Sequence, residues 1–168
     1  MACMYGALRS EGLDQVRLIG FDSFEGLPQE AGDQGWRPGE FYSSLPATLA
    51  YLRRNGVDTD EIEMVAGWFR ETCRAETAER LGIRKASLIL VDCDIYSASR
   101  DALAFCAPLI CDSAVIIFDD WGWSESRGMI GQKEAFSEFL TANPRLIATS
   151  LDPAYIPQAR IFHLRSRA

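Results

Sequence analysis

The chain has 168 residues, and its 24 Asp and Glu against 17 Lys and Arg give a formal net charge of −7. This length predicts one domain with a real core, residues 1–168, since two complete domains would be cramped. The acidic balance argues against nucleic acid or an anionic membrane surface as the main partner, and the single histidine, His163, nearly excludes zinc sites built on several histidines.

The first half of the chain alternates predicted helices and strands around one long loop. The loop over residues 23–44 is rich in Gly and Pro, and its about 22 residues exceed the usual length of a connection. Such a loop is typical of a binding loop or a lid, and Ser44 is the expected N-cap of the helix that follows it. In chain order, the pattern predicts the end of a helix over Met1–Gly12, a strand over Val16–Asp22, a helix over Leu45–Asn55, a strand over Glu61–Gly67 and a helix around Glu76–Leu81.

The second half contains the two most apolar strands. In chain order, the pattern predicts a strand over Ala86–Asp92, a helix over Ser97–Ile110, a strand over Ala114–Asp120, a glycine-containing loop over 121–131, a helix over Gln132–Leu140, and strands over Leu146–Leu151 and Arg160–Leu164. Strands that alternate with helices and are apolar throughout predict an α/β fold with a mostly parallel sheet covered by helices on both faces.

Carboxylates follow three of the predicted strands, at the sheet edge where ligands bind in such folds. Asp22 is expected either to hold ribose hydroxyls of a cofactor or to cap the following turn. Asp92 and Asp94 follow one central strand, and Asp119–Asp120 follow the next. If these strands are neighbours, the acids repel one another, and bound Mg²⁺ would relieve the repulsion. The alternative is that these acids cap helices or face solvent.

A magnesium-dependent phosphatase also uses a DxD motif and a later acidic pair. The chain has only two lysines, Lys85 and Lys133, and neither lies where the phosphate-holding lysine is expected between the motifs. A nucleotide-sugar transferase could also use DxD, but neither chemistry explains the strings FDSFEGLP and GWF.

Four segments in fixed order resemble the macrocin O-methyltransferase family over about residues 16–140. They are GFDSFEGLP (Gly20–Pro28), AGWFRETC (Ala66–Cys73), VDCDIYSAS (Val91–Ser99) and FDDW (Phe118–Trp121). The resemblance implies a Rossmann-like class I methyltransferase sheet that uses S-adenosylmethionine and Mg²⁺. It also implies methyl transfer to a hydroxyl of a small-molecule acceptor, often a sugar of a natural product. A long loop over Gln29–Ser44, which contains three aromatic residues, could then close over the acceptor.

The resemblance also assigns residues to cofactor binding. Asp22 should hold the ribose, with Ser23 and Phe24 beside it, while Gly67, Trp68 and Phe69 should line the adenine pocket. Trp68 has ordinary core packing as its alternative role. Asp92 is expected to reach the cofactor as well.

The remaining roles that the resemblance implies concern the metal, the proton and the acceptor. Asp92, Asp119 and Asp120 match the metal-binding acids, and Asp92 is also the best candidate catalytic base. Asp94 is the second catalytic candidate, either supporting the metal ligands or capping the helix near Ser97. Tyr96 and Trp121 are expected to line the acceptor site, unless they only pack.

Relatives in this family begin with a strand and a glycine-rich turn that precede the first residues here. We therefore expect an N-terminally incomplete fold that lacks this first strand and turn. The unpaired strand edges would favour a homo-oligomer. A non-catalytic, methyltransferase-like protein that acts as a binding or assembly module is the alternative function.

Cysteine usage and the N-terminus favour a cytoplasmic protein. The five cysteines are odd in number and include no CxxC pair, which predicts reduced thiols. No apolar stretch approaches the roughly 20 residues of a membrane span, and no secretory signal is evident.

Overall fold

The computed structural model describes residues 1–151 and 158–167. The chain divides into two compact units, an N-terminal unit over Met1–Thr72 and a C-terminal unit over Cys73–Ala168. No helix within the described ranges is both long and apolar enough to cross a membrane.

The N-terminal unit is built on two parallel strands. Its elements are α1 (Ala2–Ser10), β1 (Leu18–Asp22), a 3-10 helix (Gln29–Gln34), α2 (Leu45–Arg54), β2 (Ile62–Ala66) and α3 (Phe69–Thr72). β1 pairs with β2 in register from Leu18 opposite Ile62 to Asp22 opposite Ala66. Because the strands are parallel, their carboxyl ends lie at the same edge. The expected N-cap of α2 is confirmed, since the backbone N–H of Ala47 donates to Ser44 Oγ at 3.4 Å.

The long loop after β1 is more ordered than its sequence indicates. It contains the 3-10 helix, and two backbone hydrogen bonds close its base, from Leu27 N–H to Glu40 C=O at 2.9 Å and from Gly39 N–H to Leu27 C=O at 2.7 Å. Gly26 lies at this base with φ of 80°, and a Cβ there would lie 2.5 Å from the Gly39 carbonyl oxygen. A side chain at this position would therefore clash as well as strain the backbone. The segment resembles an Ω-loop whose ends are held together, rather than an irregular connection.

The C-terminal unit contains a four-stranded sheet. Its elements are α4 (Ala75–Leu81), β3 (Leu88–Val91), α5 (Tyr96–Cys106), a 3-10 helix (Ala107–Leu109), β4 (Ser113–Phe118), α6 (Trp121–Ser126), α7 (Gln132–Ala142), β5 (Leu146–Leu151) and β6 (Arg160–Ser166). The strand order is β3-β4-β6-β5. β3 is parallel to β4, whereas β6 is antiparallel to both β4 and β5.

The expectation of a mostly parallel sheet is wrong for this unit, although the α/β class is confirmed. Only residues 152–159 separate β5 from β6, which is too short for the crossover that parallel neighbours need. Among the described strands, β1 and β2 are the edges of the two-stranded sheet, and β3 and β5 are the edges of the four-stranded sheet. The expected absence of a first strand stays a prediction.

The expectation of a loop over 121–131 is also wrong in part, because Trp121–Ser126 form α6. The Trp121 ring packs against Phe118, Phe136 and Phe162, with ring centroids 5.1–5.8 Å apart. These partners come from three other elements. Tertiary packing therefore outweighs the weak local preference of a Gly- and Ser-containing segment.

One face of this sheet forms the core of the C-terminal unit. β4 buries alternate residues, Ala114, Ile116 and Phe118, as expected for a strand with one covered face. The core cluster also contains Leu103 of α5 and Phe136 of α7. This packing fixes the start of α7 relative to the ends of β3 and β4.

Candidate functional site

The carboxyl ends of β1 and β2 carry the residues predicted to bind the cofactor. Asp22 Oδ1 accepts a hydrogen bond from the Phe24 N–H at 2.6 Å, and the Gly67 N–H donates to the Asp22 carbonyl at 2.9 Å. Asp22 therefore caps the turn after β1, which is one of the two roles that the sequence left open. Asp22 itself is exposed, so this cap is compatible with a ligand-binding role, which stays a prediction.

A tight turn follows Asp22. Ser23 Oγ donates to the Gly26 carbonyl and accepts from the Glu25 N–H, each at 3.1 Å. Phe24 has φ of 57°, a left-handed conformation that costs a non-glycine residue roughly 1 kcal/mol or more. The Phe24 side chain is buried, and this burial offsets the strain.

The segment after β2 is also held by local hydrogen bonds. The Trp68 carbonyl accepts backbone hydrogen bonds from Glu71 and Thr72, and Thr72 Oγ1 donates to it at 3.1 Å. Gly67, Trp68 and Phe69 are half-buried. The N-terminal unit thus brings both predicted cofactor-binding segments, 22–24 and 67–69, to one edge of its sheet.

The acids of the C-terminal unit converge at the ends of β3 and β4. Asp92 directly follows Val91, and the Asp119 N–H donates to the Val91 carbonyl at 3.2 Å. Asp120 Oδ2 accepts from the Asp94 N–H at 3.3 Å, and Asp94 has φ of 60°. The predicted convergence of carboxylates at neighbouring strand ends is therefore present.

Electrostatics at this edge disfavour a full set of negative charges. Burial raises the pKa of the Asp120 carboxyl to about 6, and the negative charges of Asp92 and Asp119 add to the shift, while the Asp94 N–H opposes it. Asp120 therefore ionises less readily than an exposed aspartate. Positive charge placed among these acids would lower the free energy of the ionised form.

The carboxylate oxygens of these acids are the kind of ligand that a hard cation such as Mg²⁺ prefers. Within residues 1–151 and 158–167, no group of three or more Asp, Glu, His or Cys side chains is arranged to hold a metal ion. Mg²⁺ commonly keeps several waters and takes only one or two protein carboxylates. The mutual repulsion of Asp92, Asp119 and Asp120 is compatible with that mode of binding.

Gln132 is a residue of this edge that the sequence analysis missed. Its side chain has no exposed surface. Its Oε1 accepts from the Asp120 N–H at 3.0 Å, and its Nε2 donates to the Val91 carbonyl at 3.1 Å. No local signal marks it, because a glutamine at the start of a predicted helix reads as an ordinary surface residue.

Cys93, between Asp92 and Asp94, is not equipped to act as a nucleophile. Burial raises the pKa of its thiol far above the usual range, although a contact of 3.4 Å with Ser99 Oγ acts in the opposite direction. A thiol with a raised pKa forms little of the thiolate that acts as a nucleophile. None of the five cysteines is paired in a disulfide in this structure.

The two predicted acceptor residues both make structural contacts. Tyr96 begins α5, and its hydroxyl donates to Glu138 Oε2 of α7 at 2.6 Å. Trp121 packs on the aromatic core, which is the alternative that the sequence left open. Contact with an acceptor stays a prediction for both residues.

Comparisons with known proteins match this arrangement of elements and motifs. The macrocin-O-methyltransferase (TylF) family model matches residues 1–143. The 8-demethyl-8-(2,3-dimethoxy-alpha-L-rhamnosyl)-tetracenomycin-C 4'-O-methyltransferase of Streptomyces olivaceus is 29% identical over 136 residues, which are 76% of this chain and 50% of the relative. The mycinamicin III 3''-O-methyltransferase of Micromonospora griseorubida is 28% identical over 133 residues, 71% of this chain and 50% of the relative. The chain thus spans about half the length of these curated relatives.

Solved structures show the fold. The O-methyltransferase NovP matches with a TM-score of 0.78 at 19% identity, over 99% of this chain and 66% of that chain. The O-methyltransferase TomG from Streptomyces achromogenes, solved in complex with SAM, matches with a TM-score of 0.58 at 16% identity, over 98% of this chain and 78% of that chain. These likenesses confirm the predicted class I methyltransferase fold.

Proposed function

The chain belongs to the macrocin-O-methyltransferase family, as its motifs predict, and on that premise we propose that it acts in S-adenosylmethionine-dependent O-methylation of a small-molecule hydroxyl acceptor. A sugar hydroxyl of a natural product is the proposed acceptor class, because the Streptomyces olivaceus relative is named as a 4'-O-methyltransferase of a rhamnosyl-tetracenomycin. The observation that carries the proposal is the convergence of Asp92, Asp119 and Asp120 beside neighbouring strand ends. In this proposal, these acids act as the base and as cation ligands, both of which assist methylation of a weakly acidic hydroxyl. Membership of a methyltransferase family argues against the magnesium-dependent phosphatase activity that the DxD motif also allowed.

Cofactor binding is assigned to the edge of the N-terminal unit. We propose that Asp22 accepts hydrogen bonds from ribose hydroxyls, with Ser23 and Phe24 shaping the turn that presents it. Gly67, Trp68 and Phe69 line the adenine side. The hydrogen bond from Gly67 to the Asp22 carbonyl supports this assignment, because it fixes the two segments relative to each other.

Proton transfer and cation binding are assigned to the acids of the C-terminal unit. One or two of the carboxylates of Asp92, Asp119 and Asp120 would hold Mg²⁺, with water as its remaining ligands. The bound ion would lower the pKa of an acceptor hydroxyl and orient its oxygen. A carboxylate of Asp92 or Asp94 would take the proton of the acceptor hydroxyl. Bound S-adenosylmethionine would supply the methyl group, and its sulfur would keep the electron pair of the broken carbon–sulfur bond, which gives S-adenosylhomocysteine as the product. Asp92→Asn and Asp119→Asn should each abolish metal-dependent methyl transfer, and full activity in both variants would exclude these roles.

Asp22 offers a sharper test, because its two roles respond to different substitutions. Asp22→Asn keeps an oxygen that can accept from the Phe24 N–H, so the turn should persist while the negative charge is lost. Asp22→Ala removes both functions. We expect at least a tenfold loss of S-adenosylmethionine affinity in both variants by isothermal titration calorimetry, but a loss of thermal stability only in Asp22→Ala. Wild-type affinity in Asp22→Asn would show that Asp22 only caps the turn.

A non-catalytic binding or assembly module is the second candidate. It is favoured by the position of β1 and β3 at the edges of their own sheets among the described residues, since such edges can pair with another chain. Self-association detected by analytical ultracentrifugation, together with no S-adenosylmethionine binding, would favour this candidate.

A further inference from the structure

Gln132 is buried in a way that requires an explanation. The first residue of α7 has no exposed surface, although glutamine is mostly an exposed residue. Burial of an amide without partners is unfavourable at both its oxygen and its nitrogen. Here both ends are satisfied, and both partners belong to the backbone beside the converging acids.

The chemistry of the two partners fixes which end of the amide faces which strand. The Asp120 N–H can only donate, so the oxygen of Gln132 must face it. The Val91 carbonyl can only accept, so the nitrogen must face that strand end. The orientation of the side chain therefore follows from its partners and needs no separate assignment.

The start of α7 is built to bring this side chain close to the strands. A Cβ on Gly131 would lie 2.0 Å from Ser124 Oγ of α6, so only glycine allows this approach. The Gly131 N–H donates to Glu134 Oε2 at 2.7 Å, which closes the first turn of α7. Contacts on both sides of Gln132 thus hold its backbone in place.

On the basis of the cation site proposed above, we propose that Gln132 is a positioning residue that joins the ends of β3 and β4 and so sets the separation of Asp92 and Asp120 for a divalent cation. The side chain binds the residue before Asp92 and the backbone of Asp120 itself. It touches neither carboxylate, so it acts through the backbone. The Asp119 N–H bond to Val91 joins the same strand ends but leaves the Asp120 amide to Gln132.

Only glutamine meets both requirements at this position. Glutamate has the same length, but an ionised carboxylate cannot donate to the Val91 carbonyl. Methionine has a similar shape and forms neither hydrogen bond. Gln132→Met therefore removes both hydrogen bonds of the Gln132 side chain, which together form the bridge between β3 and β4, while it largely keeps the side-chain volume. This makes it the test variant.

The chain offers a matched control at the other end of the same helix. Asn143 Nδ2 donates to the Phe139 carbonyl at 2.8 Å in a partly buried position. Asn143→Leu removes one partly buried side-chain hydrogen bond from the end of α7 without touching the strand ends that carry the acids. Any effect of a generally loosened α7 should appear in this variant too.

Mn²⁺ serves as the probe, and its free concentration is followed by electron paramagnetic resonance at a temperature where all variants are folded by circular dichroism. We expect Mn²⁺ affinity to fall at least tenfold in Gln132→Met and to change less than twofold in Asn143→Leu. Equal affinity in Gln132→Met and wild type, or equal losses in both variants, would overturn the role of Gln132 and leave the cation site standing. Absence of Mn²⁺ binding by the wild-type chain would overturn the cation site and, with it, this inference.

Amide hydrogen exchange of the wild-type chain supplies a test that needs no variant, should Gln132→Met not fold. Because the Asp120 N–H donates to a fully buried oxygen, it should exchange as slowly as the amides of β4. Rapid exchange at Asp120 beside slow exchange in β4 would show that the bridge does not hold, and would overturn the proposal.

Discussion

Replacement of Asp120 by asparagine should stabilise the metal-free protein at neutral pH. Burial and the neighbouring charges of Asp92 and Asp119 raise the pKa of Asp120 from 3.8 to about 6, so ionisation of this carboxyl opposes folding. Asparagine carries no charge but keeps an oxygen that can accept from the Asp94 N–H. The substitution should therefore remove the repulsion without removing the hydrogen bond.

The size and the pH window of the effect follow from the pKa shift. Because the folded state holds the Asp120 proton more tightly than the unfolded state, stability falls as pH rises from about 4 to about 6 and then levels off. A shift of about 2 units corresponds to at most about 3 kcal/mol. Because the carboxyl is only partly buried, we expect Asp120→Asn to gain about 1–2 kcal/mol at pH 7.5 and almost nothing at pH 4.

Urea denaturation at pH 4, 5, 6 and 7.5 measures this difference directly. Asp112→Asn is the control, since Asp112 is exposed and paired with Lys85, and loss of a surface ion pair has little effect on stability. Millimolar Mg²⁺ should stabilise the wild-type chain more than Asp120→Asn at pH 7.5. If the difference in unfolding free energy between Asp120→Asn and the wild type does not change with pH, or if Asp120→Asn is the less stable protein at pH 7.5, these acids do not repel one another in the folded state.

Two further substitutions test the packing around the site. Gly131→Ala should destabilise the chain by roughly 1–3 kcal/mol in urea denaturation, because its Cβ would lie 2.0 Å from Ser124 Oγ. The control is Gly32→Ala, where a Cβ meets nothing within 4 Å, and it should change stability by less than about 0.5 kcal/mol. Equal effects of the two substitutions would contradict the close approach of α6 and α7. Tyr96→Phe should cost about 0.5–1 kcal/mol in the same assay, because it removes the hydrogen bond to Glu138, and an unchanged midpoint would show that this bond does not join α5 to α7.

Local signals predicted most of the elements because they act over a few residues. Ser44 caps α2, Gly82 ends α4 in the left-handed conformation, and the apolar runs before Asp92 and Asp119 form β3 and β4. These features need no knowledge of the rest of the chain. The acids could be placed together for the same reason, since the ends of adjacent parallel strands meet at one edge.

The features that were missed depend on residues far apart in sequence. α6 forms because Trp121 finds Phe136 and Phe162, and Gln132 is buried because β3 and β4 present one acceptor and one donor at the right spacing. The antiparallel pairing of β6 depends on a short connection, which the sequence analysis did not weigh. The left-handed conformation of Phe24 likewise follows from its buried side chain and the Asp22 cap, not from any preference of phenylalanine.

Titration of S-adenosylmethionine into the purified chain by isothermal titration calorimetry, with and without Mg²⁺, tests the proposed function most directly. We expect saturable binding in the micromolar range, with an affinity at least tenfold weaker in Asp22→Asn. No binding at millimolar S-adenosylmethionine under either condition would contradict the proposed methyltransferase function of this chain.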